Sequence, residues 1–506
     1  MDILIASPIY SPMEHTTHIK PSELVSPVPA TETKNTKGFL DSLCIFVPVH
    51  DASQLKNPSR WTFTLIAVLW GTTSSLGSAM ILPAVPQITD EFQITGTVVN
   101  LSVAFSFMAM AVAPLWWSTA SELYGRRVIY LMSLFAFLVF NVLAAFSSSI
   151  GMFIAMRLLT GGAGASAGVV GPAIVADLWD VERRGSAMGI FWIGQDACPL
   201  VAPIISGALT QTLGWRSTQW ALAVYGGLIL LLMVVILPDT APRRSTQTEK
   251  AKVNWVEEVQ DTLSEIWRMF IQPFRFIQLL RFPAVVLIVA YTSFTYATYY
   301  SITVAVKRIF SQPPYSFSSA ILGLMYIPLA LGAIIAGFLG GRWVDYIMRR
   351  EAQAAARYSP SGELIFRPQD RMRENAWGAS VLAPAALLLF GWTTQKHVFW
   401  FVPCLALFLF SVGDNLIFNM GTTVLTEFFP QRSSDGMSMS SFVRNTLCCV
   451  AVIVTEPLIN TIGASWLYTG FAIIGWAGGS SILWIMRRNA DRWVKDLAES
   501  ASGEVG

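Results

Sequence analysis

The chain has 506 residues, of which 53% are hydrophobic and only 13% are charged, and its formal net charge is +2. Its mean hydropathy of +0.52 lies far above the average of water-soluble proteins. This composition excludes a soluble globular protein and predicts a polytopic membrane protein. We expect a lipid bilayer around it and no nucleic-acid partner.

The N-terminal region, residues 1–60, is rich in Ser, Thr and Pro, and its apolar run Leu43–Val49 is too short to span a membrane. It is predicted to be a disordered cytosolic tail. Twelve apolar segments of about 18 or more residues follow. They lie near 62–86, 98–120, 128–149, 150–178, 186–213, 217–237, 282–305, 317–344, 376–395, 398–427, 436–462 and 465–487.

These segments predict an all-α membrane protein of twelve transmembrane helices in two halves of six, at 61–238 and 282–488. The connector 239–281 mixes charged and apolar residues at helical spacing, which predicts an amphipathic helix on the inner membrane surface. Residues 489–506 are predicted to be a second cytosolic tail. The halves would then hinge about the connector.

Lys and Arg residues predict the orientation, because basic loops resist translocation across the membrane. They concentrate in alternate loops and in the connector, so both termini are expected in the cytoplasm. The opposite, outer loops are expected to hold only Arg216, Lys307, Arg308 and Lys396. Asn100-Leu-Ser is a glycosylation sequon close to a predicted membrane edge.

A short charged loop is expected twice, about half a chain apart and each time between two long apolar segments. The copies are STASELYGRR at Ser118–Arg127 and GRWVDYIMRR at Gly341–Arg350. The repeat predicts two halves of equal topology with a transport site between them near the bilayer midplane. A carboxylate there can pair with arginine when the halves meet, which indicates a gate; the alternative is that the arginines only set topology. The predicted gate residues are Glu122, Gly125, Arg126, Arg127, Gly341, Asp345 and Arg349.

The fifth segment carries two prolines four residues apart, which remove helical hydrogen-bond donors, among small residues that keep one face thin. This pattern predicts a bent helix that packs closely on a neighbour. Simple helix packing would explain it equally well. The residues are Cys198, Pro199, Ala202, Pro203, Ser206 and Gly207.

Ionisable residues inside membrane spans are costly and indicate function. Asp196 and Asp414 are the acids best placed to load and release a proton, and Asp196 is the first choice for the proton carrier. Arg157 and Arg444 are the cations that could displace the proton. Counting depth from the membrane faces favours an Arg444–Asp414 pair. Static ion pairs that hold helices together are the alternative. Glu456 is expected at a hydrated outer helix end.

Aromatic residues of the seventh and fifth segments suit a broad pocket for amphipathic organic molecules and can hold cations against their faces. They could instead be packing residues or interface anchors. The acids and arginines leave the charge of the substrate open. The predicted substrate-binding residues are Tyr296, Tyr299, Tyr300, Trp192, Gln195, Asn415 and Asn419.

The sequence contains no nucleotide-binding loop, nucleophile elbow or metal-ligand spacing. We therefore expect no catalytic residue, no cofactor and no metal. Energy must come from an ion gradient or from the substrate's own gradient.

These motifs resemble those of the major facilitator superfamily, in particular the fungal twelve-span drug:proton antiporters, which include quinidine and multidrug-resistance efflux pumps. Residues 118–127 resemble the family's signature loop, with Ser118 in place of its leading glycine. Arg157 and Gly161 resemble its R-x-x-x-G motif, and residues 198–207 resemble its antiporter motif. Two later stretches, Pro313–Pro328 and Glu456–Thr469, are also similar to the antiporters.

The resemblance implies export of a small organic molecule in exchange for protons, by alternating access and as a monomer. It implies a fungal plasma membrane, with a vacuolar or vesicular membrane as the alternative. Two other functions stay open. One is a proton-coupled or facilitative importer of a nutrient such as a polyamine or an organic acid, and the other is a non-transporting nutrient sensor.

Overall fold

A computed structural model of the protein describes residues 57–179, 181–236, 280–358, 364, 368–428 and 433–503. Some side chains inside these ranges are also outside the description. The predicted N-terminal tail and nearly all of the predicted connector helix lie outside these residues. Within the described ranges the chain is helical and forms no strand.

The N-terminal half begins the bundle. Its helices are α1 (Asn57–Ala79), α2 (Val85–Phe92), α3 (Gly96–Tyr124), α4 (Arg126–Ala145), α5 (Ile150–Gly164), α6 (Ala167–Leu178), α7 (Val181–Leu213) and α8 (Arg216–Ile236). The C-terminal half comprises α9 (Pro283–Phe310), α10 (Ser319–Leu324), α11 (Ile327–Ala354), α12 (Glu374–Gln395), α13 (Phe401–Phe428) and α14 (Ser433–Gly503). Short 3₁₀ turns lie at Leu82–Ala84 and Pro368–Arg371.

Ten helical stretches among the described residues are long and apolar enough to cross a membrane. Nine correspond to predicted segments, and the tenth, 54 residues long, covers the predicted eleventh and twelfth. A straight helix of that length would measure about 80 Å, far more than a bilayer core of about 30 Å. Its backbone leaves the helical region at Gly463, where φ is 82°. The prediction of an all-α, multi-pass protein is confirmed, and the count of twelve stays a prediction, since the fifth segment's side chains are described only in part.

Helix boundaries follow from local chemistry. Gly125 separates α3 from α4 with φ 94° and ψ 149°, a conformation that L side chains rarely adopt. The hydroxyl of Ser149 caps α5 by accepting a hydrogen bond from the amide of Met152 at 3.3 Å. Pro283 begins α9 at the first turn, where no intrahelical donor is needed.

Each half has its own apolar core. In the N-terminal half, Trp70 meets Tyr130 and Phe137 edge to face, with ring centroids 6.2 and 5.6 Å apart. In the C-terminal half, Phe390 packs on Tyr468 at 5.3 Å. A further cluster of buried residues draws on both halves: Ile81, Val103 and Phe107 from one and Val304, Cys448 and Val452 from the other. We call this contact region between the two halves the seam, and a site for a substrate is expected along it.

Candidate functional site

An aromatic shelf runs across the seam. Phe107 of α3 packs on Tyr300 of α9 with centroids 4.4 Å apart, Tyr300 meets Tyr296 at 5.1 Å, and Tyr296 stacks on Phe418 of α13 at 5.8 Å. Tyr299, which is buried, packs on Tyr300 from the other side. The structure thus brings the three predicted tyrosines together, and continues their row with two phenylalanines.

Arg444 of α14 lies on this shelf. Its guanidinium carbon is 4.8 Å from the centre of the Tyr296 ring and 5.2 Å from that of Phe418. Its Nε is buried without a hydrogen-bond partner. Among the residues that the structure describes, the Arg444 side chain makes no hydrogen bond and no ion pair.

Asp414 lies near the shelf but on the buried side of α13. The hydroxyl of Thr295 bonds to its carboxyl group, and its Oδ1 is buried without a partner. The expected Arg444–Asp414 ion pair is absent from this conformation, because the two rings hold the guanidinium while Asp414 faces α9. Both groups still act electrostatically on Cys448, which lies within reach of each. Their roles in proton coupling stay a prediction.

Asn415 and Asn419 occupy the same face of α13 as Phe418. The amide of Asn415 donates to the carbonyl of Ser411 at 3.1 Å, and Asn419 is exposed. An exposed amide within a membrane span lines a water-filled cavity more favourably than it meets lipid. This face therefore provides hydrogen-bonding groups next to the aromatic shelf.

Arg157 is only 1% exposed and belongs to a different site. Its Nη2 donates to the carbonyl of Gly77 at 2.7 Å, and its own carbonyl accepts from Ser106 Oγ at 2.9 Å. One turn later, a Cβ on Gly161 would lie 2.7 Å from the carbonyl oxygen of Ser106. The spacing of arginine and glycine thus fits α5 tightly against α3. The side chain of Asp196 lies outside the described residues, so its relation to Arg157 is not seen.

Two other predicted substrate residues lie on α7. Gln195 is partly buried, its Nε2 has no hydrogen-bond partner, and it faces Gly71 of α1. The side chain of Trp192 is not among those that the structure describes. Gln195 therefore belongs to a contact with α1 in the N-terminal half, apart from the shelf.

The thin face of α7 meets the C-terminal half. A Cβ on Gly207 would lie 2.5 Å from the carbonyl oxygen of Ser319, and one on Gly323 would meet the carbonyl of Pro203. The Gln211 side chain accepts a hydrogen bond from the amide of Ala320 at 3.3 Å. Glycines on both helices let the two backbones touch at this end of the bundle.

Three other residues of this motif, Cys198, Ala202 and Ser206, pack within the N-terminal half. Ser206, fully buried, donates to the carbonyl of Met80, and the Cys198 thiol lies 3.7 Å from the carbonyl of Thr72. Ala202 is fully buried, and α7 runs unbroken through both prolines.

A buried polar cluster, which we call the outer cluster, joins the halves at the same end and comprises Asn100, Lys307, Arg308 and Glu456. Asn100 Nδ2 donates to Glu456 Oε2 at 2.7 Å, and Lys307 Nζ donates to Asn100 Oδ1 at 3.1 Å. Lys307 Nζ and Arg308 Nε lie 3.9 and 3.7 Å from the Glu456 carboxylate. Asn100 belongs to α3, whereas the other three belong to the C-terminal half.

The placement of Lys307 and Arg308 in an outer loop was wrong, as was that of Glu456 at a hydrated helix end. Lys307 and Glu456 are 3% and 6% exposed. The reason is that α9 continues to Phe310, past its predicted end, and carries Lys307 into the seam. The sequence did contain a signal for this cluster, because Asn100, Lys307 and Glu456 lie at similar depth in three different apolar segments.

The position of Asn100 in this cluster predicts that its sequon stays unmodified. Its side chain is fully buried and uses both ends of its amide in hydrogen bonds. After expression in a fungal host, endoglycosidase treatment should leave the gel mobility of the chain unchanged. A mobility shift that Asn100→Gln abolishes would contradict this prediction.

The two charged repeats differ in structure. In the first, Arg126 donates to Ser121 Oγ at 2.9 Å and Arg127, 3% exposed, donates to the carbonyl of Val234 at 2.9 Å. The second copy is not a loop, since Gly341–Arg350 lies inside α11, which continues to Ala354 with no strong helix breaker. Arg349 is exposed there. The side chains of Glu122 and Asp345 lie outside the described residues.

The segment after the second copy is held by ion pairs. Arg350 pairs with Glu374 at 2.8 Å and Arg373 pairs with Glu351 at 2.8 Å, which links the end of α11 to the start of α12. Exposed pairs of this kind contribute little stability, about 0–1 kcal/mol each. They position the connection rather than hold the halves together.

Two helical halves that meet at one end, with an aromatic and polar face between them, are the arrangement expected of a membrane transporter. The sequence model of the Major Facilitator Superfamily matches residues 67–453. The chain belongs to this superfamily. It is a multi-pass membrane protein that works on a small-molecule substrate.

Relatives agree with this assignment. MFS transporter OpS2 of Beauveria bassiana is 48% identical over 347 residues, which cover 67% of this chain and 99% of the relative. MFS antiporter QDR3 of Candida albicans is 26% identical over 577 residues, covering 90% of this chain and 82% of the relative. The crystal structure of a D-xylose-proton symporter matches with a TM-score of 0.62 at 16% identity, over 83% of this chain and 97% of that one, which shows the shared fold.

Proposed function

We propose that the chain is an efflux pump that exports small organic molecules, such as drugs or secondary metabolites, in exchange for protons. It works by alternating access in the plasma membrane. The relative QDR3 is named an antiporter, and antiport against an inward proton gradient means export. The observation that carries the proposal is the aromatic shelf with its polar neighbours on the seam between the halves.

Asp414 is the proton carrier in this mechanism. Its carboxyl group has one oxygen without a partner and no cation within ion-pair distance among the described residues. A proton can bind there without breaking an existing contact. Arg444 can displace that proton if it leaves the rings of Tyr296 and Phe418 and approaches the carboxyl group, and substrate on the shelf would control this movement.

The test measures substrate-driven proton movement in proteoliposomes that contain a pH-sensitive dye. Lipophilic cations, neutral drugs, polyamines and organic acids serve as trial substrates. Asp414→Asn and Asp196→Asn are compared with Asp90→Asn, an exposed acid on α2. We expect at least one trial substrate to move protons in the opposite direction, and Asp414→Asn to abolish that coupling while Asp90→Asn preserves it.

Two results would refute parts of this mechanism. Transport of a substrate without proton movement in the unmodified chain would make it a facilitator. Loss of coupling in Asp196→Asn alone, with Asp414→Asn unchanged, would move the proton site to α7. Imaging of a tagged chain in fungal cells tests the plasma membrane separately.

A further inference from the structure

We propose that Arg444 binds the acidic group of the substrate, so that this transporter carries aromatic or otherwise planar organic acids. The inference rests on the proposed function, because it names the substrate class of the same site. It requires the group of the substrate that lies on Arg444 to be negatively charged.

The cations of the spans differ in their partners. Arg157 is buried and donates one terminal nitrogen to a backbone carbonyl, although its Nε, like that of Arg444, has no hydrogen-bond partner. Lys307 is buried and has both an amide and a carboxylate beside it. Arg444 has only the faces of two rings, among the residues that the structure describes. Each of the first two cations thus has at least one polar partner in the protein, whereas Arg444 has none among the described residues.

The energetics favour an external partner for Arg444. Arg444 is partly exposed, and a ligand that covers it removes its charge from water at a cost of several kcal/mol. Each ring face returns only about 0.5–2 kcal/mol, so the ligand must supply an opposite charge or hydrogen bonds. Its Nε is buried and unbonded, while the two terminal nitrogens are not buried. A carboxylate or phenolate that reaches Arg444 can accept two parallel hydrogen bonds from this planar edge.

The aromatic shelf also provides a surface for the apolar part of such a ligand. From Arg444 the shelf extends through Tyr296 and Tyr300 to Phe107 in the other half. Next to Arg444, the Asn445 amide donates to the carbonyl of Met110 at 3.4 Å, which places this part of α14 against α3. Phe107 is fully buried. A flat apolar ligand would therefore lie on the partly exposed rings of Tyr296 and Phe418, beside this contact between the halves, with its acid group on Arg444.

The competing explanation is that Arg444 exists only to pair with Asp414 in another conformation. In that case a ligand's charge would not matter to Arg444. The two explanations differ in a binding experiment that requires no transport.

The experiment uses the purified full-length chain and three probes with the same ring system: naphthoate, methyl naphthoate and naphthylmethylammonium. Affinities are measured by calorimetry and by the thermal shift of the protein. We expect naphthoate to bind most tightly. Arg444→Gln should weaken naphthoate binding by about 10- to 100-fold, the worth of a hydrogen bond to a charged group, and leave the ester unchanged.

Arg444→Lys keeps the charge but not the planar fork, so an intermediate loss for naphthoate is expected. It also serves if Arg444→Gln folds poorly. The matched control is Arg488→Gln, which removes a guanidinium stacked 5.2 Å from the Trp484 ring outside the shelf. This control should leave all three affinities unchanged.

Equal affinities of the three probes for the unmodified chain would overturn the proposal. Unchanged naphthoate binding in a folded Arg444→Gln variant would do the same, and would assign Arg444 to Asp414. Preferential naphthoate binding without proton exchange in proteoliposomes would refute the antiport mechanism and leave this inference standing.

Discussion

Replacement of Glu456 with alanine should destabilise the chain by about 3–5 kcal/mol, the usual effect of leaving a buried charge without its partner. Lys307 would remain almost fully buried, and Asn100 would lose the acceptor that its amide uses at 2.7 Å. Thermal unfolding of the purified chain in detergent measures the effect. We expect the largest drop in melting temperature among single substitutions in the outer cluster.

The double variant Lys307→Met/Glu456→Met provides the control. Well-packed apolar residues often replace a buried ion pair without loss, so the double variant should recover most of the stability that Glu456→Ala loses. If Glu456→Ala unfolds at the same temperature as the unmodified chain, the outer cluster does not contribute to the stability of the fold. A double variant no better than the single one would show that the charges do not interact.

Replacement of Gly207 or Gly323 with alanine should slow transport, because it keeps the halves apart where α7 meets α10. The added Cβ would meet the backbone of the facing helix, and backbone cannot rotate away as a side chain can. Overpacking of this kind costs about 1–3 kcal/mol. That energy shifts the equilibrium between closed and open states by about 5- to 150-fold.

Spin labels at Asp90→Cys and Lys396→Cys, both exposed and one in each half, report this shift through the distance distribution between them. Gly207→Ala should increase the population at long distance and reduce turnover. Gly168→Ala is the matched control, because a Cβ there meets nothing within 4 Å. An unchanged distribution in Gly207→Ala, or an equal change in Gly168→Ala, would contradict the expectation.

Hydropathy was sufficient to predict the fold class, because a bilayer imposes long apolar helices regardless of their detailed packing. The small residues of α7 were likewise visible in the sequence, since close helix contact requires glycine, alanine or serine. Their partner was not, because nothing local identifies Ser319 and Gly323 as the facing backbone. The family assignment needed the comparisons as well as the motifs.

The candidate site was less predictable from the sequence. Depth along a helix placed Arg444 level with Asp414, but rotation about the helix axis and competition from aromatic rings decide which groups meet. Lys307 was assigned to a loop since a charge usually ends an apolar segment. Its partners are distant in sequence, so their mutual compensation appears only after folding.

The position of Asn100 between Lys307 and Glu456 lowers the electrostatic cost of separating the halves. All three charges, Lys307, Arg308 and Glu456, belong to the C-terminal half, and both cations lie within 3.9 Å of the carboxylate, whereas the N-terminal half contributes a neutral amide. When α3 withdraws, the two cations keep the carboxylate as their partner and water can satisfy the amide. Separation of the halves therefore breaks no ion pair in this cluster.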